Sequence, residues 1–229
     1  MRNVVEVRNV YKRFWFTSAL ENISLTIRDG EHTLLLGPNG SGKSTLIKIV
    51  AGLIKPTKGE VRVLGLDPFR SNLLGRKVNV LLDDFSLPFW MSGYKFLRYI
   101  AKIRGLDWNK VKEVAKEFNI TSYWHKLIGV YSAGMKKKIA LIQALIGAPR
   151  IIILDDPFTA LDIESRVKLL EVLVEKGREA TIIVSTHSLF GAQRICKKTV
   201  LLDNGRKIME GDTEEVVKAL QEKSYTIAL

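Results

Sequence analysis

The stretch GPNGSGKS at residues 37–44 constrains the fold of this chain more than any other feature. It matches the pattern G-x-x-x-x-G-K-[ST], in which a strand leads into a glycine-rich loop and a helix follows. Here the apolar run HTLLL precedes the loop and KSTLIKIVAGL follows it, so both required neighbours are present. The stretch therefore predicts an α/β fold in which this loop binds phosphate groups.

The other apolar segments predict the elements around the loop. Continuous apolar strands that alternate with helices indicate a parallel sheet covered on both faces. The early strand-like segments VVEVRNV, SLTIR and HTLLL look antiparallel, and TVLLDNGRKIME predicts a hairpin with its turn at Asn204-Gly205. We also expect a helix over residues 188–196 and a mostly helical pattern over 86–147, with breaks at Gly105–Asp107 and near Gly129–Ser132.

These patterns predict one domain over residues 1–229. We expect an α/β P-loop NTPase core with a mostly parallel sheet and an N-terminal antiparallel β subdomain, formed by residues 1–85 and 148–229. Residues 86–147 are expected to form an inserted helical subdomain.

The composition limits the class of protein. Hydrophobic residues make up 46% of the 229 residues and charged residues 26%, which suffices for a sizeable core. No apolar run approaches the ~18 residues of a membrane-spanning helix, and the first residues lack the apolar stretch of a signal peptide. The single cysteine, Cys196, excludes an internal disulfide and fits a reducing compartment; we expect it to be an apolar helix residue.

The chain is strongly basic, with a net charge of +12 and a pI of about 9.7. Such a charge attracts phosphates, nucleic acids or anionic lipid headgroups. The sequence has no RNA-binding motif, no zinc-ligand spacing and no basic tail, so we expect no nucleic-acid partner.

The residue types of the loop suit nucleotide phosphates and Mg²⁺. Its glycines allow backbone N–H groups to turn towards phosphate oxygens, and the helix N-terminus adds partial positive charge. Lys43 can reach the β- and γ-phosphates, Ser44 can offer its hydroxyl to Mg²⁺, and Thr45 can reach another phosphate. The expected phosphate-binding residues are Gly37, Pro38, Asn39, Gly40, Ser41, Gly42, Lys43, Ser44 and Thr45.

The segment IIILDDP places two carboxylates at the end of an apolar strand. Burying a carboxylate is costly unless it is paired or binds a metal ion. A P-loop enzyme needs an acidic residue at the end of a neighbouring strand to hold Mg²⁺, and Asp155 fits that role. Asp156 lies next to it, where the γ-phosphate is expected, and is placed to orient or deprotonate the attacking water.

The segment YSAGMKKK at residues 131–138 resembles the signature motif L-S-G-G-Q of ATP-binding cassette (ABC) ATPases. Ser132 and Gly134 keep their places in that motif, whereas its other three positions differ. A plain alternative is a core helix capped by Ser132, with a solvated lysine run. The position of the segment between the phosphate loop and IIILDDP favours the signature, and the resemblance covers nearly the whole chain.

The resemblance implies roles for three further segments. Asp162, in TALD, resembles the D-loop aspartate, which is expected at a dimer interface. His187, in STHS, resembles the switch histidine that hydrogen-bonds the γ-phosphate. Phe14, in YKRFW, resembles the aromatic residue that stacks on adenine, with Trp15 or Phe16 as alternatives. The expected catalytic residues are then Lys43, Asp156 and His187.

In this family two cassettes bind ATP between them, head to tail, and hydrolysis reopens the closed dimer. Ser132 and Gly134 of one chain would contact the γ-phosphate held by the other. The resemblance therefore implies ATP and Mg²⁺ as cofactors, a second cassette in a homo- or heterodimer, and a transmembrane permease subunit as partners. We expect a cytoplasmic protein that is peripheral on the inner face of the membrane, and YSAGMKKK resembles the cassettes of exporters more than those of importers.

Two positions depart from the family pattern. The family usually has Glu where this chain has Asp156, whose side chain is one methylene shorter. The Q-loop glutamine, a Mg²⁺ ligand, falls near Asp83 and Asp84, of which Asp83 is the better match. A misplacement of ~1 Å can cost about 100-fold in rate, so we expect tight MgATP binding and slow hydrolysis by the chain alone. Two situations would allow this. Either a shift of the backbone compensates for the shorter side chain, or the chain works in a heterodimer in which its signature motif completes a competent site on the partner.

Two other functions stay open. A soluble cassette ATPase of DNA repair, translation or iron–sulfur assembly is one, although long coiled-coil insertions and tandem cassettes are missing. A non-hydrolysing ATP-binding regulator is the other, because Asp156 is short. Phe89 and Trp90, beside a proline, fit either the core of the helical lobe or a groove that accepts a helix of a membrane subunit.

Overall fold

The computed structural model describes residues 2–71, 76–189 and 191–222, which form two sheets and six α-helices. Along the chain the elements are β1 (Asn3–Phe14), β2 (Thr17–Arg28), β3 (Thr33–Leu36), α1 (Lys43–Val50), β4 (Lys58–Val63), β5 (Val78–Leu81), α2 (Gly93–Arg104), α3 (Trp108–Glu117), α4 (Ala133–Leu145), β6 (Ile151–Asp155), α5 (Ile163–Lys176), β7 (Thr181–Thr186), β8 (Lys198–Asp203), β9 (Arg206–Asp212) and α6 (Thr213–Glu222).

The larger sheet has the strand order β5-β6-β7-β3-β8-β9. Its first five strands are parallel, and β9 adds an antiparallel edge. Every residue of β3, β6 and β7 is buried, as expected for strands covered on both faces. The carboxyl ends of these three neighbours meet at one edge of the sheet, which confirms the predicted α/β fold and fixes where a ligand can bind.

A second, antiparallel sheet has the order β2-β1-β4. It confirms the predicted antiparallel arrangement for the first two strand segments, which pair as a long hairpin. The expectation was wrong for the third segment, because β3 lies between β7 and β8 in the parallel sheet. The reason is burial: all four residues of β3 are buried, so this strand needs cover on both faces.

The predicted hairpin near the end of the chain is confirmed. β8 and β9 pair antiparallel, and the turn between them consists of Asn204 and Gly205, whose φ values are +47° and +74°. Two residues with positive φ form the tight turn that suits the twist of a hairpin.

Helices α2, α3 and α4 lie between β5 and β6 in the chain. Each begins at a side-chain cap, because Ser92, Asp107 and Ser132 accept a hydrogen bond from the backbone N–H of Lys95, Asn109 and Met135. These caps confirm the breaks predicted near Gly105–Asp107 and Gly129–Ser132. The boundaries 1–85, 86–147 and 148–229 stay a prediction.

The helix predicted over residues 188–196 is wrong. The described part of this segment contains a single 3₁₀ turn, Ala192–Arg194, and Phe190 lies outside the described residues. Gly191 explains the difference, because its φ of +68° is left-handed and does not fit inside an α-helix. Cys196 follows the turn and is fully buried, and burial raises the pKa of its thiol to about 12.

Within these same ranges, no helix combines the length and the apolar character that crossing a membrane would require.

Candidate active site

The phosphate loop follows β3, and its glycines have backbone angles that other residues rarely adopt. Gly37, Gly40 and Gly42 have φ values of +154°, +80° and +100°. A Cβ on Gly37 would lie 2.1 Å from the carbonyl oxygen of Leu202, and a Cβ on Gly42 would lie 2.7 Å from that of Ala19. A Cβ on Gly40 would meet nothing within 4 Å, so only the left-handed backbone requires glycine there.

Lys43 is the first residue of α1, and its ammonium group turns back over the loop. Nζ donates hydrogen bonds to the carbonyl oxygens of Gly37 (2.8 Å) and Pro38 (2.9 Å). Burial lowers the pKa of Lys43, while the nearby carboxylates of Asp156 and Asp155 act in the opposite direction. The ammonium therefore lies where phosphate oxygens could replace the two carbonyls.

Two buried polar atoms at this edge lack a hydrogen-bond partner within the described ranges: Ser41 Oγ and Asp155 Oδ2. The other oxygen of Asp155 accepts a hydrogen bond from Ser185 Oγ on β7. Leaving a buried polar atom unpaired is unfavourable. The hydroxyl suits a phosphate oxygen, and the carboxylate oxygen suits a hard cation.

The residues present therefore fit Mg²⁺. Ser44 and Asp155 line the same pocket as Asp83. No group of three or more His, Cys, Asp or Glu side chains in the described ranges could hold a metal ion by itself. The cation would thus need phosphate oxygens or water among its ligands, as Mg²⁺ usually has.

Asp156 and His187 are in direct contact. Oδ2 of Asp156 lies 2.8 Å from Nδ1 of His187, which follows β7. The backbone N–H of Asp156 donates to the carbonyl oxygen of Ser185 (3.0 Å) and to its Oγ (3.2 Å). The φ of Asp156 is +43°, which is uncommon for a residue with a side chain. The short carboxylate is therefore held by its own backbone and by His187.

Lys137, on α4, is a site residue that the motifs did not predict. Its Nζ lies 3.6 Å from Oδ1 of Asp83 and 5.5 Å from the ring centre of Phe85. The side chain is only 3% exposed. Burial lowers the pKa of Lys137, and the carboxylates of Asp83, Asp156 and Asp155 act against this shift. A second lysine, besides Lys43, thus lies close to the carboxylates of the site.

The sequence contained a signal for Lys137. It lies one helical turn before the apolar Leu141, so one position of the lysine run shares a helix face with an apolar residue, although its burial depends on packing. The neighbouring Asp84 pairs with Lys48 on α1, at 2.6 Å. The segment Asp83–Asp84 is therefore tied to α4 on one side and to α1 on the other.

One pocket of about 240 Å³ brings most of the predicted residues together. His187 does not line it but contacts Asp156, and the carbonyls of Gly37 and Pro38 hold Lys43. The predicted residues that line the pocket are Asn39, Gly40, Ser41, Gly42, Lys43, Ser44, Thr45, Asp83, Asp155 and Asp156. The other predicted residues, which do not line it, are Phe14, Ser132, Gly134 and Asp162.

Gly134 and Lys138, in and just after the signature, instead lie against the TALD segment of the same chain. A Cβ on Gly134 would lie 2.8 Å from the carbonyl oxygen of Ala160, so the two backbones are close. Nζ of Lys138 lies 3.1 Å from Oδ2 of Asp162. Asp162 also caps α5 by accepting a hydrogen bond from Ser165 N–H (2.8 Å). That hydrogen bond, together with Lys138, lowers the pKa of Asp162 to about 2.

Three aromatic rings are exposed at the turn between β1 and β2. Phe14 is 43% exposed, and Nζ of Lys12 lies 4.7 Å from its ring centre. Trp15 and Phe16 form the turn itself and are almost fully exposed. Ser18, which follows on β2, lines the phosphate pocket. Each ring is therefore close in sequence to the pocket edge and open to stacking.

Comparisons with known proteins agree with this geometry. The family model described as ABC transporter matches residues 20–159. The chain is 31% identical to the ABC transporter ATP-binding protein YxlF of Bacillus subtilis (strain 168), over 99% of this chain and 77% of that protein. A solved ATP binding subunit of an ABC transporter has a TM-score of 0.84 and 27% identity, over 97% of this chain and 95% of its own. The dimeric cassette MJ0796 bound to ADP and Pi shares the fold, with a TM-score of 0.81 and 24% identity over 91% and 98% of the two chains.

Relatives named for opposite directions of transport are both similar to this chain. The spermidine/putrescine import ATP-binding protein PotA of Spiroplasma citri is 29% identical, over 93% of this chain and 63% of its own length. The Nod factor export ATP-binding protein I of Rhizobium sp. (strain N33) is 32% identical, over 93% and 72%. Because the family model covers more than half of the sequence and the P-loop pocket is complete, the chain belongs to the ABC transporter family and is one of its ATP-binding, ATPase cassettes.

Proposed function

We propose that this chain hydrolyses MgATP as the peripheral subunit of a membrane exporter, and that closure of two cassettes on ATP drives transport. The observation that carries the proposal is the convergence of Lys43, Asp155 and the Asp156–His187 pair on one phosphate loop. The cytoplasmic location on the inner face of the membrane belongs to the same proposal. No nucleic acid takes part.

The pocket is suited to the triphosphate of ATP. Loop N–H groups and the N-terminus of α1 attract the phosphates, and the ammonium group of Lys43 lies over the loop. Ser44, Asp155 and Asp83 would hold Mg²⁺. When bound, the ion neutralises charge that develops on the phosphate oxygens.

Asp156 is the proposed general base. Its carboxylate would accept a proton from the water that attacks the γ-phosphorus, while the bond to the ADP oxygen breaks and phosphate leaves. Its contact with His187 holds the carboxylate in one orientation. This contact and the fixed backbone of Asp156 support compensation for the missing methylene rather than a degenerate site.

The signature face supports an ATP-dependent dimer. Ser132 is exposed, and neither it nor Gly134 lines the pocket of its own chain, so both can serve the γ-phosphate of a second cassette. Val130 and Ile163, which are close in sequence to the signature and to TALD, are 71% and 77% exposed. Exposed apolar side chains of this kind mark interaction surfaces. A homodimer and a heterodimer both satisfy this arrangement.

A second surface suits the permease. Phe89 and Trp90 are 67% and 66% exposed and touch each other edge to face, so the core interpretation of these two residues is wrong. The carbonyl of Phe89 accepts a hydrogen bond from Gly129 N–H (3.0 Å), which ties the pair to the segment that carries the exposed Leu127. Exposed aromatic rings on a fixed backbone suit an anchor for a short helix of a membrane subunit.

The test has two readouts. The first is steady-state MgATP turnover by the purified chain, which separates a hydrolysing subunit from a non-hydrolysing regulator. The second is affinity capture from detergent-solubilised membranes, in which a protein with several membrane spans should co-purify with the wild type. Phe89→Ser with Trp90→Ser should lose that partner and keep the turnover. Capture of no membrane protein by the wild type would favour the soluble-cassette alternative.

A further inference from the structure

The positive charge of this chain is concentrated in one segment. Residues 86–147 contain eleven Lys and Arg residues and three Asp and Glu residues, a net charge of +8. The other 167 residues carry the remaining +4. The catalytic pocket accounts for little of this excess, since Lys137 is the only one of the eleven that faces its carboxylates within the described ranges.

Helix α2 presents part of this charge on one outward face. Lys95, Arg98, Tyr99, Lys102 and Ile103 are all exposed, and their spacing of three and four residues places them on one side of the helix. Tyr99 is 56% exposed and Ile103 is 63% exposed. The opposite side of α2 is buried through Gly93, Phe96, Leu97 and Ala101.

The three cations of this face are free of carboxylate partners. α2 contains no Asp or Glu, and none of Lys95, Arg98 and Lys102 forms an ion pair within the part of the chain that the structure describes. Arg98 donates a hydrogen bond to the hydroxyl of Tyr94, at 3.2 Å, which is not a carboxylate. Unpaired cations aligned along one helix attract an anionic surface.

We propose that this face of α2, formed by Lys95, Arg98, Tyr99, Lys102 and Ile103, binds anionic lipid headgroups directly. The three cations span roughly 10 Å of helix, which fits several headgroup phosphates at once. Tyr99 and Ile103 lie among them, and a mixture of cations with aromatic and aliphatic side chains on one helix is typical of interfacial binding. An acidic protein segment would use the cations but would leave the two apolar side chains without a role. The proposal goes beyond the proposed function, because lipid binding needs no permease.

The test is co-sedimentation of the purified chain with vesicles. Equal parts of phosphatidylcholine and phosphatidylglycerol provide the anionic surface, and pure phosphatidylcholine provides the neutral one. The test variant carries Lys95→Gln, Arg98→Gln and Lys102→Gln. The control carries Arg178→Gln, Lys197→Gln and Lys218→Gln, which removes the same charge from exposed positions outside residues 86–147.

The wild type should bind the anionic vesicles and leave the neutral ones in solution. Each basic side chain near an anionic surface is worth about fivefold in binding, so the α2 variant should bind on the order of 100-fold more weakly. The control should keep most of its binding. Equal losses in both variants, or no preference of the wild type for anionic vesicles, would overturn the proposal.

The apolar side chains need a separate variant. Tyr99→Ser with Ile103→Ser should lose the part of the binding that survives at high salt, because salt screens only the charges. Unchanged binding at every salt concentration would overturn the role of the apolar side chains. MgATP turnover of each variant shows that the fold is intact and keeps a failure of lipid binding distinct from a failure of the proposed ATPase.

Discussion

Nζ of Lys137 lies 3.6 Å from Oδ1 of Asp83, and this ion pair joins the signature helix α4 to the segment that follows β5. The lysine is buried, whereas the aspartate side chain is 57% exposed. Asp84, the next residue, pairs with Lys48 on α1. The two neighbouring carboxylates therefore connect α4 to α1, the helix that follows the phosphate loop, so that a movement of α4 would displace the segment that contacts α1.

The pairing predicts a coupling in stability. Asp83→Ala leaves the buried Lys137 without its carboxylate partner, whereas in a Lys137→Met background the same change leaves no lysine unpaired there. We expect Asp83→Ala to lower the free energy of unfolding by roughly 1 kcal/mol less in the Lys137→Met protein than in the wild type. The difference is small because the side chain of Asp83 is half exposed to solvent. Urea unfolding of the four proteins measures this difference. Asp84→Ala combined with Lys137→Met is the control and should be additive; additivity of the first pair would contradict the coupling.

Two glycines with the same backbone strain provide a matched test of the phosphate loop. Gly40 and Gly30 have φ values of +80° and +75°, and a Cβ on either would meet nothing within 4 Å. Gly40→Ala and Gly30→Ala should each lower the unfolding free energy by about 1 kcal/mol, because both impose a left-handed alanine.

Only Gly40→Ala should weaken ATP binding, because Gly30 lies in the turn before β3. Titration with a fluorescent ATP analogue measures the affinity. If Gly40→Ala binds the analogue as tightly as Gly30→Ala does, the loop does not hold the phosphates in the way described.

The phosphate loop and the Asp155–Asp156 pair could be predicted because each is a local pattern with a fixed structural context. The turn at Asn204-Gly205 was predictable for the same reason, because few residue pairs other than Asn-Gly adopt two adjacent positive φ values. In these places the chemistry of neighbouring residues decides the conformation.

Lys137 could not be predicted in the same way. Its burial depends on the packing of α4, and its partner Asp83 is 54 positions earlier in the sequence. The wrong helix over 188–196 has a related cause, because a Cβ on Gly191 would lie 2.7 Å from Cδ1 of Leu170 on α5. Packing against α5 therefore leaves room only for glycine there, and the local apolar pattern does not show this contact.

The cap of α5 predicts a pH dependence of stability. The pKa of Asp162 falls from 3.8 to about 2 on folding, so folding favours the charged carboxylate. The stabilisation of the fold by the charged carboxylate is fully present above pH 3.8 and is lost as the pH falls through about 2. Asp162→Asn keeps a helix cap but cannot ionise. At neutral pH the free energy of unfolding of the wild type should therefore exceed that of Asp162→Asn, by less than about 1 kcal/mol because solvent screens this exposed carboxylate.

Urea unfolding at a series of pH values tests this prediction. The difference between wild type and Asp162→Asn should shrink as the pH approaches 2. Asp162→Ala, which removes the helix cap as well, should be less stable than Asp162→Asn by about 1 kcal/mol at every pH. A gap between wild type and Asp162→Asn that is independent of pH would contradict the assignment.

The adenine contact can be assigned among three exposed rings. Phe14→Ala should weaken ATP binding by about tenfold, because an aromatic stacking contact is worth about 0.5–1.5 kcal/mol beyond the area that it buries. Trp15→Ala and Phe16→Ala serve as controls and should bind ATP as wild type does. Calorimetric titration with ATP and with inorganic triphosphate separates a base contact from a phosphate contact. A loss confined to Phe16→Ala or Trp15→Ala would transfer the role to that residue.

The most direct measurement is steady-state MgATP turnover by wild type, Asp156→Glu, Asp156→Asn and Lys43→Ala. With Asp156 held 2.8 Å from His187, we expect the wild type to turn over and Asp156→Glu to be no faster. Asp156→Asn should be slower by about 100- to 10,000-fold, the usual contribution of a general base. The opposite result would be a wild-type rate no higher than the background rate of Lys43→Ala, together with clear turnover by Asp156→Glu. It would contradict the role of Asp156 as a working general base and would show that the missing methylene holds the site inactive.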